Sequence, residues 1–280
     1  MTDMIPGPLD NSDSLQISRY LQERMINRVG IDVWIRNDSG LIRTDRDTCT
    51  HCDDILLLSR QLVSLHPGLS LTKYDLDEHS DRADSANINL PPSVVLRGSG
   101  KSIKLSGMFS GAIFPTLLDL IGFLSQGTSP LADEDLTLIQ SISDPIRIEA
   151  MVTPFDPFSP HMIRLLGALA TEIELIELEI IELAQYPILA KQRNITEIPT
   201  IIINDKRFTG VWDLEPMINQ IHKVITGDSE PTIREKIMSV PYISEEEAIE
   251  RAREELARQQ GNVGSNTGEN TSPGGLIIPN

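Results

Sequence analysis

The feature that most constrains this chain is that it runs through one order of elements twice. Leu15, Ile17, Leu21, Met25 and Ile26 recur at helical spacing, and Val29, Ile31, Val33 and Ile35 then alternate with Gly30, Asp32 and Trp34 at the two-residue period of a strand. The turn residues Asn37, Asp38, Ser39 and Gly40 close that strand. A helix bearing Ile55, Leu56, Leu58, Leu62 and Leu65 stops at His66, Pro67 and Gly68, and Leu69, Leu71 and Tyr74 form a short strand. A helix-poor link leads to strands over 92–96 and 103–108, joined by a hairpin-like turn at Gly98, Ser99, Gly100 and Lys101, and to a helix over 115–124. The second pass reads as a strand over 146–152, a helix over 160–171, a strand over 173–179, a helix over 187–193, a strand over 199–203 and a helix over 214–225. Each copy must bury its own sheet under its own helices, so duplication points to two similar α/β layers in series.

These patterns predict one unit over 13–127 and a second over 145–226. A linker and charged helix follow over 227–260, then a flexible tail over 261–280 rich in Gly, Ser, Asn and Thr. The helix opens at Ser244 with Glu245, Glu246 and Glu247 in its first turn, and Glu247 with Arg251 forms a favourable pair one turn apart. The tail ends in the apolar run Leu276, Ile277, Ile278 and Pro279.

Acidic residues outnumber basic ones 41 to 24, and a net charge of −17 repels phosphate backbones and anionic headgroups. Neither nucleic acid nor a membrane surface is an expected partner. No apolar run approaches the roughly 20 residues of a spanning helix, and the first residues carry no leader pattern, so the expectation is a cytoplasmic protein.

Cys49 and Cys52 are the two cysteines of the chain, too few for a stapling framework. With two residues between them, the first at the mouth of a helix, they can close a small disulfide with little backbone movement. Unpaired N–H groups and the helix dipole favour Cys49 as thiolate, the attacking species. Cys52, one turn inside, would resolve the mixed disulfide. His51 between them could donate a hydrogen bond or a positive charge to the thiolate, making the pair more oxidising. The alternatives are inert cysteines or half of a structural metal site. Zinc needs four ligands, and His51, His66 and His79 lack a regular zinc spacing. The expectation is no metal and no cofactor.

At these residues the chain resembles the glutaredoxin-like protein disulfide oxidoreductases, in which two thioredoxin folds lie in tandem, and the likeness runs from about Asp13 to Ile225. The run from Asp47 to Asp53 looks like the family's active loop, and Tyr74 to Asp77 like the strand end that follows. The segment from Leu90 to Leu96 looks like the proline segment facing the dithiol. The resemblance implies two tandem thioredoxin-like folds, each a central mixed sheet flanked by helices. It also implies that Pro92 is a cis-proline presenting backbone to an extended substrate. In the second copy, Val152 to His161 is similar to the family's second active loop, but Asp156 and Ser159 stand where cysteines would be, and Pro199 keeps the second cis-proline pattern. That site is expected to be redox-silent, with Asp156 as a helix N-cap. An insertion over 37–45 departs from the family, and Asp32 is either the family's buried strand carboxylate or a surface strand residue.

The leading expectation is a thiol-disulfide oxidoreductase acting on protein disulfides through one dithiol, its second domain a binding platform. A thioredoxin-reductase-like protein or a peroxiredoxin would be its redox partner, since two fused folds with one live dithiol also resemble the electron-relay module of alkyl hydroperoxide reductase systems. There, however, the live pair is in the second fold. A reading from another class is an adaptor or cargo protein. Leu276 to Pro279 on a long tether resemble docking peptides, including those that load enzymes into encapsulin shells, which would place the protein inside a compartment. His161, beside the silent site, reads as a surface helix residue.

Overall fold

The computed structural model describes residues 7–37, 49–139, 142, 144–228, 230–231 and 238–263. It divides into one compact unit over Met1–Tyr242 and a second over Ile243–Asn280. The elements of the first are α1 (Asn11–Arg24), β1 (Val29–Ile35), α2 (Cys52–Leu65), β2 (Leu69–Asp75), α3 (Ser80–Ser85), β3 (Ser93–Gly98), β4 (Lys101–Ser106) and α4 (Phe114–Gln126). There follow α5 (Asp133–Ile139), β5 (Ile146–Val152), α6 (Ser159–Glu172), β6 (Ile176–Glu182), α7 (Pro187–Gln192), β7 (Glu197–Ile198), β8 (Thr200–Ile203), β9 (Lys206–Thr209), α8 (Leu214–Ile225) and β10 (Val240–Pro241). The second unit contains α9 (Glu245–Val263), where Arg251 reaches Glu247 at 2.8 Å, one turn earlier. None of the helices searched among the described residues is long and apolar enough to cross a membrane.

Eight strands form one mixed sheet in the order β2-β1-β3-β4-β6-β5-β8-β9. Its two halves repeat one pattern. In each, a parallel pair joined through a 14-residue helix (β1–α2–β2 and β5–α6–β6) lies beside an antiparallel hairpin (β3–β4 and β8–β9). Parallel pairing of Lys104, Leu105 and Ser106 with Glu179, Ile180 and Ile181 joins the halves. The same interval along the chain separates Cys52 from Ser159, Asp75 from Glu182, Asn87 from Asn194 and Pro92 from Pro199.

The structure differs from the sequence expectations at several elements. Strand β6 starts three residues later than alternation suggested, because Ile173 caps α6 instead, donating its N–H to Leu169 O at 2.8 Å. The helix-poor link contains α3, the counterpart of α7, whose sequence SDRADS buries only Ala83. The segment between the halves contains α5, and a hairpin adds β9 as an edge strand. Within the linker, Val240 and Pro241 pair with Ile198 and Glu197.

One side of the sheet carries a continuous apolar core. Ile31, Val33 and Ile35 of β1 pack there with residues of α2, α4, α6 and α8, including Ile55, Leu62, Leu120, Leu166 and Ile221. Each such side chain taken from water contributes about 1.5–3 kcal/mol. On the other side the apolar residues fall into two separate clusters. Trp34, Leu76, Ala83 and Ile88 lie under α3, and Met151, Ile181, Ala190, Ile195 and Ile202 under α7. Between them runs a buried polar seam. Lys104 Nζ lies 2.8 Å from Glu179 Oε2, Ser106 Oγ donates to Glu179 Oε1 at 2.8 Å, and Arg193 Nη1 lies 2.6 Å from Glu149 Oε2. Arg147 also reaches both carboxylates, Glu149 at 3.0 Å and Glu179 at 3.8 Å, so each glutamate is shared among several partners.

Candidate active site

The dithiol sits where β1 hands over to α2. Cys49 and Cys52 are joined as a disulfide with their Cα atoms 5.5 Å apart. Cys52 opens α2 and is buried, whereas Cys49 is half-buried, so the first sulfur is the more accessible. The N–H of Arg36, the first residue beyond β1, donates to Cys52 Sγ at 3.3 Å. Asp75, at the end of β2, fixes the same corner. Its Oδ2 accepts the Asn37 N–H at 3.1 Å and its Oδ1 the Asp77 N–H at 2.8 Å. Burial pushes the Asp75 carboxyl up, but the backbone N–H groups of Asp77, Asn37 and Glu78 and the charge of Lys73 together hold it below the usual carboxylate range.

His51 is the N-cap of α2 and makes no side-chain cap; its Nδ1 lies 3.3 Å from Asp54 Oδ2. Asp53 and Asp54 favour the helix dipole but oppose a thiolate at Cys49, so the first turn pulls in both directions. The peptide bonds Pro91–Pro92 and Ile198–Pro199 are cis. Ser93 pairs with Trp34, so the proline segment lies beside the end of β1 that leads to Arg36 and the disulfide. The carbonyl of Pro92 accepts the Gly107 N–H at 2.8 Å, and that of Pro199 accepts the Gly210 N–H at 2.7 Å. Both glycines have φ 93°, the left-handed region that tolerates glycine.

The cysteine-free copy reproduces this corner without sulfur. The N–H of Thr153, first residue beyond β5, donates to Ser159 Oγ at 3.1 Å, as Arg36 does to Cys52. Ser159 in turn donates its hydroxyl to Asp156 Oδ2, so a hydrogen bond joins the positions that a disulfide joins in the first copy. Asp156 Oδ1 accepts the N–H groups of Phe158 at 2.6 Å and Ser159 at 2.9 Å. Asp156 is therefore not itself the N-cap of α6, a position held by Phe158, but its carboxylate satisfies N–H groups there from two residues upstream. Both Asp156 and Ser159 are buried, while Phe155 beside them is 48% exposed. His161 is exposed, with Nε2 3.1 Å from Trp212 O.

Asp32 is buried, at 2% exposure, and forms an ion pair with Arg97. It belongs to the face of β1 that carries Trp34, because its partner Val95 packs with the cluster under α3, so it lies across the sheet from the residues packed on α2. Burial raises its carboxyl above the usual value, and Arg97 draws it partly back. Sequence reasoning missed two residues that join the copies here, Gln185 and Tyr186. The Gln185 amide pairs both ways with the Met108 backbone, and the Tyr186 hydroxyl reaches the carbonyls of Leu90 and Pro92. Burial, then Glu182 and Glu179, push this phenol well above 10. The repeat held the available signal, since Tyr186 stands where His79 stands in the first copy. Among the described residues searched, no group of three or more His, Cys, Asp or Glu is placed to hold a metal ion. The insertion beyond Asn37, residues 47–48 of the active loop, and Leu276 to Pro279 lie outside the described residues.

No protein-family model matches this chain. No curated protein matches it either. Solved structures do. A protein disulfide oxidoreductase from Aeropyrum pernix is 22% identical with a TM-score of 0.69, covering 81% of this chain and 98% of that one. The NTD_N/C domain of alkylhydroperoxide reductase AhpF from Enterococcus faecalis is 19% identical with a TM-score of 0.66, covering 76% of this chain and all (100%) of that one. The fold is thus of thioredoxin-like type, a central mixed sheet flanked by helices.

Proposed function

We propose that this protein is a thiol-disulfide oxidoreductase acting on protein disulfides through Cys49 and Cys52. The observation that carries the reading is the disulfide at the start of α2, with its first sulfur the more accessible and its second held by the Arg36 N–H. In the reduced protein the Cys49 thiolate attacks one sulfur of a substrate disulfide, that bond breaks, and the first substrate thiolate leaves. Cys52 then attacks Cys49 Sγ, closing the 49–52 disulfide and releasing the second substrate thiol. Two electrons and two protons pass to the substrate, and a dithiol reductant must return them. His51 tunes the pair and Pro92 offers backbone beside it.

Within the compact unit over Met1–Tyr242, residues 13–127 are the live thioredoxin-like half and residues 145–226 a silent half that serves as a platform. Asp156 and Ser159 carry no sulfur, so the second site cannot exchange disulfides. Insulin reduction by dithiothreitol tests this. Wild type accelerates it and Cys49→Ser does not; equal rates remove the enzyme reading.

A narrower reading, relay of electrons to a peroxide-reducing partner, is supported by the likeness to the alkylhydroperoxide reductase domain. Reduction of a peroxiredoxin in the presence of this protein would distinguish it from general disulfide exchange. A docking role for Leu276 to Pro279 is separable from both, since deleting these residues would remove a bound shell protein and leave insulin reduction intact.

A further inference from the structure

The polar seam and the parallel pairing of β4 with β6 bring a turn of the silent copy against the loops of the live one. After β6 the chain makes one 3-10 turn, Leu183–Gln185, whose N–H groups at Ala184 and Gln185 are capped by the Glu182 carboxylate. That cap aims the next two side chains across the seam. Gln185 Oε1 accepts the Met108 N–H at 3.0 Å and its Nε2 donates to Met108 O at 3.3 Å, a two-way amide pairing with one backbone unit. The Tyr186 hydroxyl donates toward Pro92 O at 3.3 Å and Leu90 O at 3.5 Å. Gly107 closes the approach, since a Cβ there would sit 2.9 Å from Glu182 Cβ and 3.4 Å from Tyr186 Cε2.

These contacts fall on the two segments that flank the dithiol corner. Residues 90–93 lie beside the strand end that leads to Arg36, and Arg36 holds Cys52. Gly107 is hydrogen-bonded to Pro92, so residues 107–108 and 90–93 form one backbone unit. Within the live copy, that unit rests on β3 and β4; its far side rests on Gln185 and Tyr186. A segment held by side chains from both copies has little freedom to reorganise when an extended peptide is laid against it, so less conformational freedom is lost on binding.

We propose that Gln185 and Tyr186 are positioning residues for the peptide-contact segment of the dithiol, so that the cysteine-free copy governs how well a polypeptide disulfide binds to the cysteine-bearing one. The proposal rests on the reading of Cys49 and Cys52 as the reacting pair. Neither residue touches sulfur, so neither sets the intrinsic reactivity of the pair.

The test compares two substrates that differ in size alone as far as the chemistry is concerned. On the proposed reading of Pro92 as backbone offered beside the dithiol, insulin lies along that segment, whereas hydroxyethyl disulfide needs the sulfurs only. For full-length Gln185→Ala and Tyr186→Phe, KM for insulin should rise about five-fold, the effect of losing about one hydrogen bond's net contribution, with kcat close to wild type. The rate with hydroxyethyl disulfide and the reduction potential of the 49–52 pair should stay at wild-type values. Tyr186→Phe keeps the ring and removes the hydroxyl alone, so it decides the matter if Gln185→Ala proves too unstable to assay. An unchanged insulin KM in the folded variants overturns the proposal, as does an equal loss with both substrates, which would mark a purely structural role. Failure of wild type with both substrates overturns the dithiol reading itself, and this proposal with it.

Discussion

The two copies of the repeat share a frame and differ in what they place at its corner. In the first, a disulfide joins positions 49 and 52; in the second, a hydrogen bond joins Asp156 and Ser159. Around each, a backbone N–H at the end of the first strand donates to the side chain that opens the following helix, Arg36 to Cys52 and Thr153 to Ser159. The strand end is held by Asp75 in one copy, and Glu182 caps the following turn in the other. The connections differ in length, with donor and acceptor 16 residues apart in the first copy and 6 in the second. In both copies the corner holds an acceptor for a backbone N–H and a link across one helical turn, and sulfur is one way to supply both. Exchange chemistry needs the sulfur itself. The second copy therefore has the architecture without the sulfur that exchange requires.

Putting sulfur into the second copy should have the largest effect. Asp156→Cys with Ser159→Cys should form a second disulfide, seen as two further alkylatable thiols after reduction. In a Cys49→Ser background it should restore insulin reduction from none to a measurable rate. Next in size is Asp156→Ala, which leaves two helix-start N–H groups and the Ser159 hydroxyl without their acceptor in a site only 2% exposed. Urea denaturation should show a loss of about 2–3 kcal/mol. Replacing His51 with Pro should lower the reduction potential by roughly 30 mV at most, because Asp54 shares the imidazole; that shift corresponds to about 1.4 kcal/mol.

The smallest effect expected is on acid stability, and it separates two carboxylates of the cysteine-bearing copy by sign. Asp75 has its pKa lowered in the fold, so its contribution is present above its unfolded pKa and is lost as pH falls through the folded value. Asp32 has its pKa raised, so it favours the fold more when protonated and its contribution declines as pH rises through the same region. Urea midpoints measured from pH 3 to 7 should lose part of their acid-side slope in Asp75→Asn and gain slope in Asp32→Asn.

Much of the frame was legible because its core positions follow simple periods. Alternation over Val29–Ile35 and helical spacing over Leu214–Ile225 correspond to β1 and α8 at the same bounds. What escaped notice buries little. Helix α3 hides only Ala83, and β9 hides only Phe208, so neither leaves a hydrophobic period to read. Strand β6 was displaced because apolar residues from Ile173 to Ile181 continue across the helix end and turn into a strand covered on both faces, where alternation no longer marks the boundary. At the corner, the substitution of cysteines by Asp156 and Ser159 was visible in the motif, but their mutual hydrogen bond was not. Gln185 and Tyr186 could be marked only by their place in the repeat, since their partners Met108 and Pro92 lie 77 and 94 residues away along the chain.

As an oxidoreductase, the protein would hold the 49–52 disulfide as an exchangeable pair and not as a fixed staple. The most direct measurement equilibrates the full-length protein in glutathione buffers of graded poise, traps thiols by alkylation and reads the mass. One reversible two-electron transition confined to Cys49 and Cys52 is expected, with the circular dichroism of the fold unchanged across it. A pair that cannot be opened without unfolding the protein, or that once opened fails to close again, would contradict it.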